Sequence, residues 1–263
     1  MSYETIIYEK EGGIATLTFN RPHVRNAQNY QMGAEMIAAA EEAKGDDDVK
    51  VLIVTGAGSA FHAGIDLKGV FLAEDRAKRK AEEKLARLKG ISGPMRFEGF
   101  YKPIIAAVNG PATAAGFSVA IACDIRIASE NAKFGYSYVL RGLAGGFEGM
   151  LLLPHIVGLP RAMEMMFSGE LIDAAEALRI GLVSKVVPQD RLMEEARGLA
   201  NKLMNGAPVA QQVIKQAVYK AMQNPASLAD FMAPTAHALQ ETEDHLEGAR
   251  AFTEKRKPVY KGR

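Results

Sequence analysis

The stretch that most constrains the fold of this chain is Lys102 to Asp124, KPIIAAVNGPATAAGFSVAIACD. Ile104, Ile105 and Val108 form an apolar run of strand length, a Gly-Pro break follows, and from Ala115 the chain continues apolar with helix-forming alanines. The sequence therefore predicts a buried strand, a tight turn and a helix that begins near Ala115. Because the first N–H groups of a helix have no partner inside it and lie at the positive end of its dipole, we expect this turn to receive an anion or a developing oxyanion.

A second strand followed by a glycine-rich loop lies at Lys50 to Lys68, KVLIVTGAGSAFHAGIDLK. Its apolar run ends in a loop that passes through Phe61-His62-Ala63-Gly64-Ile65-Asp66. Two such strand ends in one domain can bring two backbone N–H donors together. A carbonyl oxygen that becomes an enolate requires this pair of donors.

These two stretches resemble the enoyl-CoA hydratase/isomerase (crotonase) superfamily, whose usual patterns are A-F-C-A-G-x-D-L-K and K-P-V-I-A-A-V-N-G-x-A-x-G-G-G. The resemblance extends, in family order, over nearly the whole chain, through Phe19 to Ala27, Cys123 to Gly135, Leu153 to Val187 and Glu247 to Tyr260. It implies an α/β fold, the crotonase (ClpP-like) spiral of ββα units with a C-terminal helical region. By the same resemblance, residues 1–198 would form the spiral core domain and residues 199–263 the helices of a homotrimer or a dimer of trimers.

Charge and composition narrow the classes of partner. The 32 basic and 31 acidic residues give a formal net charge of +1, which provides no global field for nucleic acid or for an anionic membrane. No apolar run reaches the length of a membrane span and the N-terminus lacks a signal-peptide pattern, so we expect a cytoplasmic protein. The single cysteine, Cys123, excludes an intramolecular disulfide, and its apolar neighbours predict a buried, inert thiol.

The resemblance also implies the main features of a site. The two oxyanion-hole donors would be the backbone N–H groups of Ile65 and Ala115. The family commonly has glycine where this chain has Ala114 and Ala115, and each additional methyl group restricts φ and narrows the approach to the thioester. The substrate would be a small-molecule acyl-CoA thioester, with coenzyme A as part of the substrate, no covalently bound cofactor and no metal ion.

Coenzyme A carries several phosphate charges, so a nearly neutral protein must supply local cations. Arg25 and Lys68 match family positions near coenzyme A, and Ala63, Ile65 and Asp66 belong to the loop that would contact it. Lys255 would either reach the phosphates bound by a neighbouring subunit or lie in a solvated tail.

The acid–base groups are where this chain departs from the family pattern. Hydratases use two glutamates, one in G-G-G-x-E and one in F-G-x-P-E, and those positions hold Ser118 and Tyr138 here. Hydration by the two-glutamate route is therefore not expected, since neither hydroxyl activates water efficiently at pH 7. The replacement candidates are Tyr138 as a proton donor, Ser118 as a hydrogen-bonding group, and His62 as either a base or a buried hydrogen-bonded histidine.

Glu148 is the fourth candidate, but it lies two residues beyond Gly146, which occupies the family's alternative acidic position. Two residues along a helix rotate a side chain by about 200°. We therefore expect Glu148 to face the substrate only if Gly145 to Gly149 is an irregular turn.

Periodicity predicts strands mainly in the first half of the chain and helices in the second. The helical predictions include a helix through Met150 to Leu153 that Pro154 follows, and a continuous helical pattern from Ser227 to Phe252. Phe71 to Arg96 is predicted to be an exposed, charged helix. The apolar residues in and beside it either line an acyl pocket or belong to the core, namely Phe71, Leu72, Met95, Phe97, Phe100 and Tyr101.

Three functions follow from these observations. The leading one is an acyl-CoA enzyme that stabilises a thioester enolate, performing isomerisation, decarboxylation, C–C cleavage or an atypical hydration. The second is a β-diketone C–C hydrolase resembling 6-oxocamphor hydrolase, which needs no coenzyme A. The third is a catalytically silent member of the family that is kept for its oligomeric interactions.

Overall fold

The computed structural model describes residues 3–70 and 99–263. The strands in these ranges are β1 (Ile6–Glu11), β2 (Ile14–Phe19), β3 (Val51–Gly56), β4 (Ile104–Val108), β5 (Ala112–Thr113), β6 (Ile125–Ser129), β7 (Lys133–Gly135), β8 (Ile172–Asp173) and β9 (Lys185–Val187). The helices are α1 (Tyr30–Gly45), α2 (Leu67–Val70), α3 (Ala115–Ala122), α4 (Phe147–Val157), α5 (Leu159–Ser168), α6 (Ala174–Arg179), α7 (Leu192–Leu203), α8 (Pro208–Gln223), α9 (Ser227–Gln240) and α10 (Glu243–Thr253).

The main sheet has the strand order β1-β2-β3-β4-β6-β9. Strands β1 and β2 pair antiparallel, and every later neighbour in this order pairs parallel. A smaller sheet has the order β5-β7-β8. Parallel pairing brings the carboxyl ends of β3 and β4 to one edge of the sheet, which is where the two glycine-rich loops begin.

Side-chain alternation along the central strands separates two apolar layers. Val51 and Ile53 pack with Ile105 and Ala107 on the face that α7 covers, while Leu52 and Val54 belong to the larger cluster on the opposite face. Because both faces are covered, the central strands are apolar throughout, as is typical of parallel sheets.

The first hairpin follows from two adjacent glycines. Its two strands are β1, which begins at Ile6, and β2, which begins at Ile14. Gly12 and Gly13 have φ values of 57° and 84°, so they form the two-residue turn that places Glu11 opposite Ile14.

Two helix predictions were wrong. Pro154 lies inside α4 instead of following it, because Leu152 and Leu153 are buried and their packing carries the helix past the ring. The pattern from Ser227 to Phe252 forms two helices, because the Thr242 side chain accepts a hydrogen bond from the His245 N–H and starts α10.

The remaining predictions have mixed outcomes. Cys123 is buried as predicted, and its thiol donates to the Val119 carbonyl. The predicted helix at Phe71 to Arg96 lies outside the described residues, and the division at residue 198 stays a prediction. None of the helices within residues 3–70 and 99–263 combines the length and apolarity needed to cross a membrane.

Candidate active site

Backbone hydrogen bonds join the two glycine-rich loops. The His62 N–H donates to the Pro111 carbonyl at 3.1 Å, and the Thr113 N–H donates back to the His62 carbonyl at 3.1 Å. The Thr113 hydroxyl also donates to the Ala63 carbonyl at 3.0 Å. The loop after β3 is therefore fixed against β5, which leads directly into α3.

Gly116, in the first turn of α3, permits this close approach. A Cβ atom at Gly116 would lie 1.9 Å from the His62 carbonyl oxygen, so no larger residue fits without a backbone shift. From the other side, a Cβ atom at Gly64 would lie 3.7 Å from the Ala115 nitrogen. The peptide groups of Gly64-Ile65 and Ala114-Ala115 are therefore neighbours.

The carbonyl groups show where the N–H groups of Ile65 and Ala115 point. The Gly64 carbonyl accepts from the Gln28 N–H at 2.8 Å, and the Ala114 carbonyl accepts from the Ser118 N–H at 3.0 Å. Because N–H and C=O point in opposite directions across a trans peptide, each adjoining N–H points away from these bonds. Among the described residues, neither of these two N–H groups has a hydrogen-bond acceptor, which is the arrangement that a developing oxyanion needs.

Ala114 adopts a strained backbone conformation at this point. Its φ of 48° and ψ of −115° lie outside the regions that residues with a Cβ normally occupy. The restriction of φ that was expected where alanine replaces the family's glycine therefore applies to Ala114. Ala115, as the first residue of α3, has helical geometry.

His62 lies in the interior with both ring nitrogens engaged. Nδ1 accepts from the Gly64 N–H at 3.0 Å, and Nε2 lies 3.4 Å from Oε1 of Gln28. Burial lowers its pKa to about 3, so the ring is neutral at physiological pH. Of the two alternatives for His62, the structure places it as a buried, hydrogen-bonded side chain.

Ser118 and Tyr138, the two residues predicted to occupy the hydratase glutamate positions, are in contact. Their hydroxyl oxygens are 3.1 Å apart, and both side chains are buried. Burial, with a smaller contribution from the charge of Glu148, raises the pKa of Tyr138 to about 12, although the Ser118 hydrogen bond opposes the shift. The phenol is therefore protonated at neutral pH and can act as a proton donor.

Glu148 is the second residue of α4 and is buried at 9% exposure. The condition that was set for Glu148 to face the substrate, an irregular turn from Gly145 to Gly149, is not met, since the helix begins at Phe147. The Tyr136 ring lies against Gly145 and Gly149, where a Cβ atom would come within 2.1 Å and 2.2 Å of it. Packing of this ring, rather than an irregular turn, orients the start of α4.

Glu148 borders a cleft of about 540 Å³. Phe100 and Tyr101, two of the residues predicted either to line an acyl pocket or to belong to the core, also line this cleft, and Phe100 is buried in the core as well. The other residues named with them lie outside the described ranges. Residues of α8 also line the cleft, among them Lys215, which pairs with Asp124 at 2.8 Å.

The cations expected at coenzyme A lie on the surface. Arg25 and Lys68 are exposed, and the described part of the chain contains no ion-pair partner for either side chain. Asp66 pairs with Arg21 at 3.3 Å and accepts from the Gly69 N–H at 3.0 Å. Lys255 is exposed beyond α10 with a φ of 54°.

Two residues at the site escaped the sequence analysis. The backbone of Gln28 bonds to the residues on both sides of Ile65. Its N–H donates to the Gly64 carbonyl at 2.8 Å, and its carbonyl accepts from the Asp66 N–H at 2.9 Å. The Tyr136 hydroxyl donates to the carbonyls of Ala144 and Gly146 at 3.1 and 3.3 Å. No local pattern marks either residue, because each acts on a segment that is distant in sequence or on a turn without periodicity.

Comparison with known proteins agrees with this architecture. The family model described as enoyl-CoA hydratase/isomerase matches residues 9–263. A short-chain-enoyl-CoA hydratase from Clostridium acetobutylicum is 41% identical over 261 residues, covering 98% of this chain and 97% of the relative. A crotonyl-CoA hydratase from Syntrophomonas wolfei is 38% identical over 262 residues, covering 98% of each chain.

Solved structures agree with the predicted fold. The crystal structure of an enoyl-CoA hydratase from Bacillus anthracis has a TM-score of 0.88 at 30% identity and covers 99% of this chain and 100% of that one. An enoyl-CoA hydratase from Geobacillus kaustophilus gives a TM-score of 0.85 at 34% identity, with 99% of each chain covered. These matches confirm the predicted crotonase fold with its C-terminal helical region. The chain belongs to the enoyl-CoA hydratase/isomerase family of the crotonase superfamily of acyl-CoA enzymes.

Proposed function

We propose that this protein acts on an acyl-CoA thioester through an enolate held by the N–H groups of Ile65 and Ala115. The observation that carries the proposal is the pair of outward-pointing N–H groups on two joined loops, with no acceptor among the described residues. Two such donors stabilise negative charge on the thioester oxygen more as it develops than in the ground state.

The Ser118–Tyr138 pair favours reactions in which the enolate forms without proton abstraction by a carboxylate. A phenol whose pKa is raised to about 12 delivers a proton at neutral pH but does not abstract one efficiently. Decarboxylation of a 2-carboxyacyl-CoA fits this requirement. The electrons of the breaking C–C bond form the enolate as CO₂ leaves, Tyr138 then gives its proton to the α-carbon, and solvent restores the phenol.

A second candidate depends on Glu148, a buried carboxylate whose charge contributes to the raised pKa of Tyr138. In this alternative Glu148 takes a proton from the acyl chain and Tyr138 or water returns one, which gives isomerisation or an atypical hydration. The names of the relatives from C. acetobutylicum and S. wolfei favour hydration of a short enoyl-CoA.

The first experiment compares malonyl-CoA, methylmalonyl-CoA and crotonyl-CoA as substrates of the unmodified protein. The leading proposal expects loss of CO₂ from a carboxyacyl-CoA and very slow hydration of crotonyl-CoA. Rapid hydration of crotonyl-CoA would overturn it. Absence of saturable acetyl-CoA binding would instead favour the β-diketone hydrolase or the catalytically silent protein.

Variants then separate the two acid–base assignments. Tyr138→Phe should lower kcat for decarboxylation about a hundredfold, the low end for loss of a general acid, with little change in KM. Tyr3→Phe is the matched control, since it removes a phenol hydroxyl that bonds Glu42 instead. Glu148→Gln should leave decarboxylation within about threefold of normal. An unmodified protein that isomerises or hydrates its substrate, and a Glu148→Gln variant that does not, would support the second candidate.

The phosphates of coenzyme A would meet Arg25 and Lys68, together with Lys255 of a neighbouring subunit. The loop residues Ala63, Ile65 and Asp66 would contact other parts of the coenzyme A thioester. The expected assembly is a homotrimer or a dimer of trimers. Large apolar side chains that are exposed on the single chain support this assembly, for example Leu159 at 57% and Phe167 at 74% on α5. Sedimentation equilibrium tests it, and a monomer at all concentrations would contradict it.

A further inference from the structure

We propose that His62 is a positioning residue that holds the Ile65 N–H in the orientation required for an oxyanion. This inference rests on the proposed function and names the side chain that the oxyanion loop depends on. His62 would not touch the substrate, and it would act through the backbone of Gly64.

The hydrogen bonds of the ring define one tautomer. Nδ1 accepts from the Gly64 N–H at 3.0 Å, so Nδ1 carries no proton. The proton of the neutral ring therefore lies on Nε2, which faces Oε1 of Gln28 at 3.4 Å. In this state the imidazole serves as an acceptor for the loop and a donor to Gln28.

Surrounding packing leaves the ring little freedom. His62 has no exposed surface, and the Phe19 ring meets it edge to face with centroids 5.1 Å apart. Since an enclosed ring that is held at both nitrogens cannot rotate without breaking a bond, it provides a fixed acceptor for the Gly64 N–H.

The same residues fix the peptide groups on both sides of Ile65. His62 holds the N–H of Gly64, and Gln28 holds the carbonyl of Gly64 at 2.8 Å and the N–H of Asp66 at 2.9 Å. Only the N–H of Ile65 remains available in this run. If the imidazole acceptor is lost, the Gly64–Ile65 peptide group keeps only the bond from Gln28 to its carbonyl. Gly64, with a φ of 97°, can then shift about that single anchor, and the Ile65 N–H moves with it.

A pair of variants tests the acceptor directly. In His62→Asn, Oδ1 can replace Nδ1 as the acceptor for the Gly64 N–H, whereas His62→Leu keeps a similar volume without an acceptor. The probe is acetoacetyl-CoA, whose enolate absorbs in the near ultraviolet. We expect His62→Leu to bind the enolate form about a hundredfold more weakly and His62→Asn to stay within about fivefold of the unmodified protein, because misplacement by about 1 Å has effects of this size.

Two results would overturn the proposal. Equal losses in His62→Asn and His62→Leu would mean that the imidazole itself acts on the substrate, and full enolate binding by a folded His62→Leu would mean that the loop needs no acceptor. In both variants the affinity for free coenzyme A should stay unchanged, which separates positioning of the loop from general unfolding.

Imidazole ¹⁵N NMR keeps the test independent of the proposed function. The unmodified protein should show the neutral Nε2–H tautomer of His62 from pH 6 to pH 8. If acetoacetyl-CoA does not bind at all, the proposed function fails, and the spectrum still decides the inference. A protonated ring or the Nδ1–H tautomer would refute it.

Discussion

Gly116→Ala is the most direct perturbation of the candidate oxyanion hole. The new methyl carbon would start 1.9 Å from the His62 carbonyl oxygen, while ordinary contacts begin at 3.4 Å, so the two loops must separate by about 1.5 Å. The neighbouring atom belongs to the backbone, and the hydrogen bonds of His62 to Pro111 and Thr113 resist the movement. We therefore expect a loss of about 1–3 kcal/mol in the free energy of unfolding, as for other overpacked sites.

The functional effect of Gly116→Ala should exceed its effect on stability. A displacement larger than about 1 Å between the two N–H groups should reduce stabilisation of the acetoacetyl-CoA enolate at least about a hundredfold. Ultraviolet titration measures this loss, and urea unfolding measures stability. Gly198→Ala is the matched control, because Gly198 lies in helix α7 with no atom near its Cβ position, and the change should stabilise the helix by about 0.5–1 kcal/mol. Normal enolate binding by folded Gly116→Ala would refute the assignment of Ala115 as a donor.

Three further predictions concern neighbouring residues. As the pH falls from 7 to 5, His62 should lower the free energy of unfolding by about 2 kcal/mol, because the imidazole takes a proton near pH 6.5 in the unfolded chain whereas the folded ring, with a pKa of about 3, does not. Urea unfolding measures this pH dependence, and His62→Asn should lack the part that His62 contributes. An unchanged pH dependence in His62→Asn would contradict the lowered pKa. Ala114→Gly should raise the free energy of unfolding by about 1 kcal/mol, because the relief of backbone strain exceeds the entropic cost of glycine. A variant with lower thermal stability would show that the φ of 48° at Ala114 carries no strain. Arg25→Ala and Lys68→Ala should raise KM for CoA thioesters but not for pantetheine thioesters; equal effects on both would assign these residues to packing.

The sequence determined much of the fold. The apolar run at Ile104 to Val108 was predicted to be a buried strand and is one, and the alanine-rich segment after Ala114 forms the expected helix. These outcomes were predictable because local periodicity reports which side chains avoid water, whatever the rest of the chain does. Family order along the chain identified the two loops, and their residues define the candidate donors.

Tertiary structure decided the parts of the site that depend on distant contacts. The contact between Ser118 and Tyr138, the approach of His62 Nε2 to Gln28 and the closeness of Gly116 to the His62 carbonyl all join segments that are far apart in the chain. Local periodicity contains no information about such distances, since they depend on how strands and helices pack together. For the same reason the position of Pro154 was predicted wrongly. The prediction ended the helix before Pro154, whereas burial of Leu152 and Leu153 continues the helix beyond it. The sequence by itself predicted which residues would surround a thioester, and only the packing of the two loops decided which of their backbone atoms lie together.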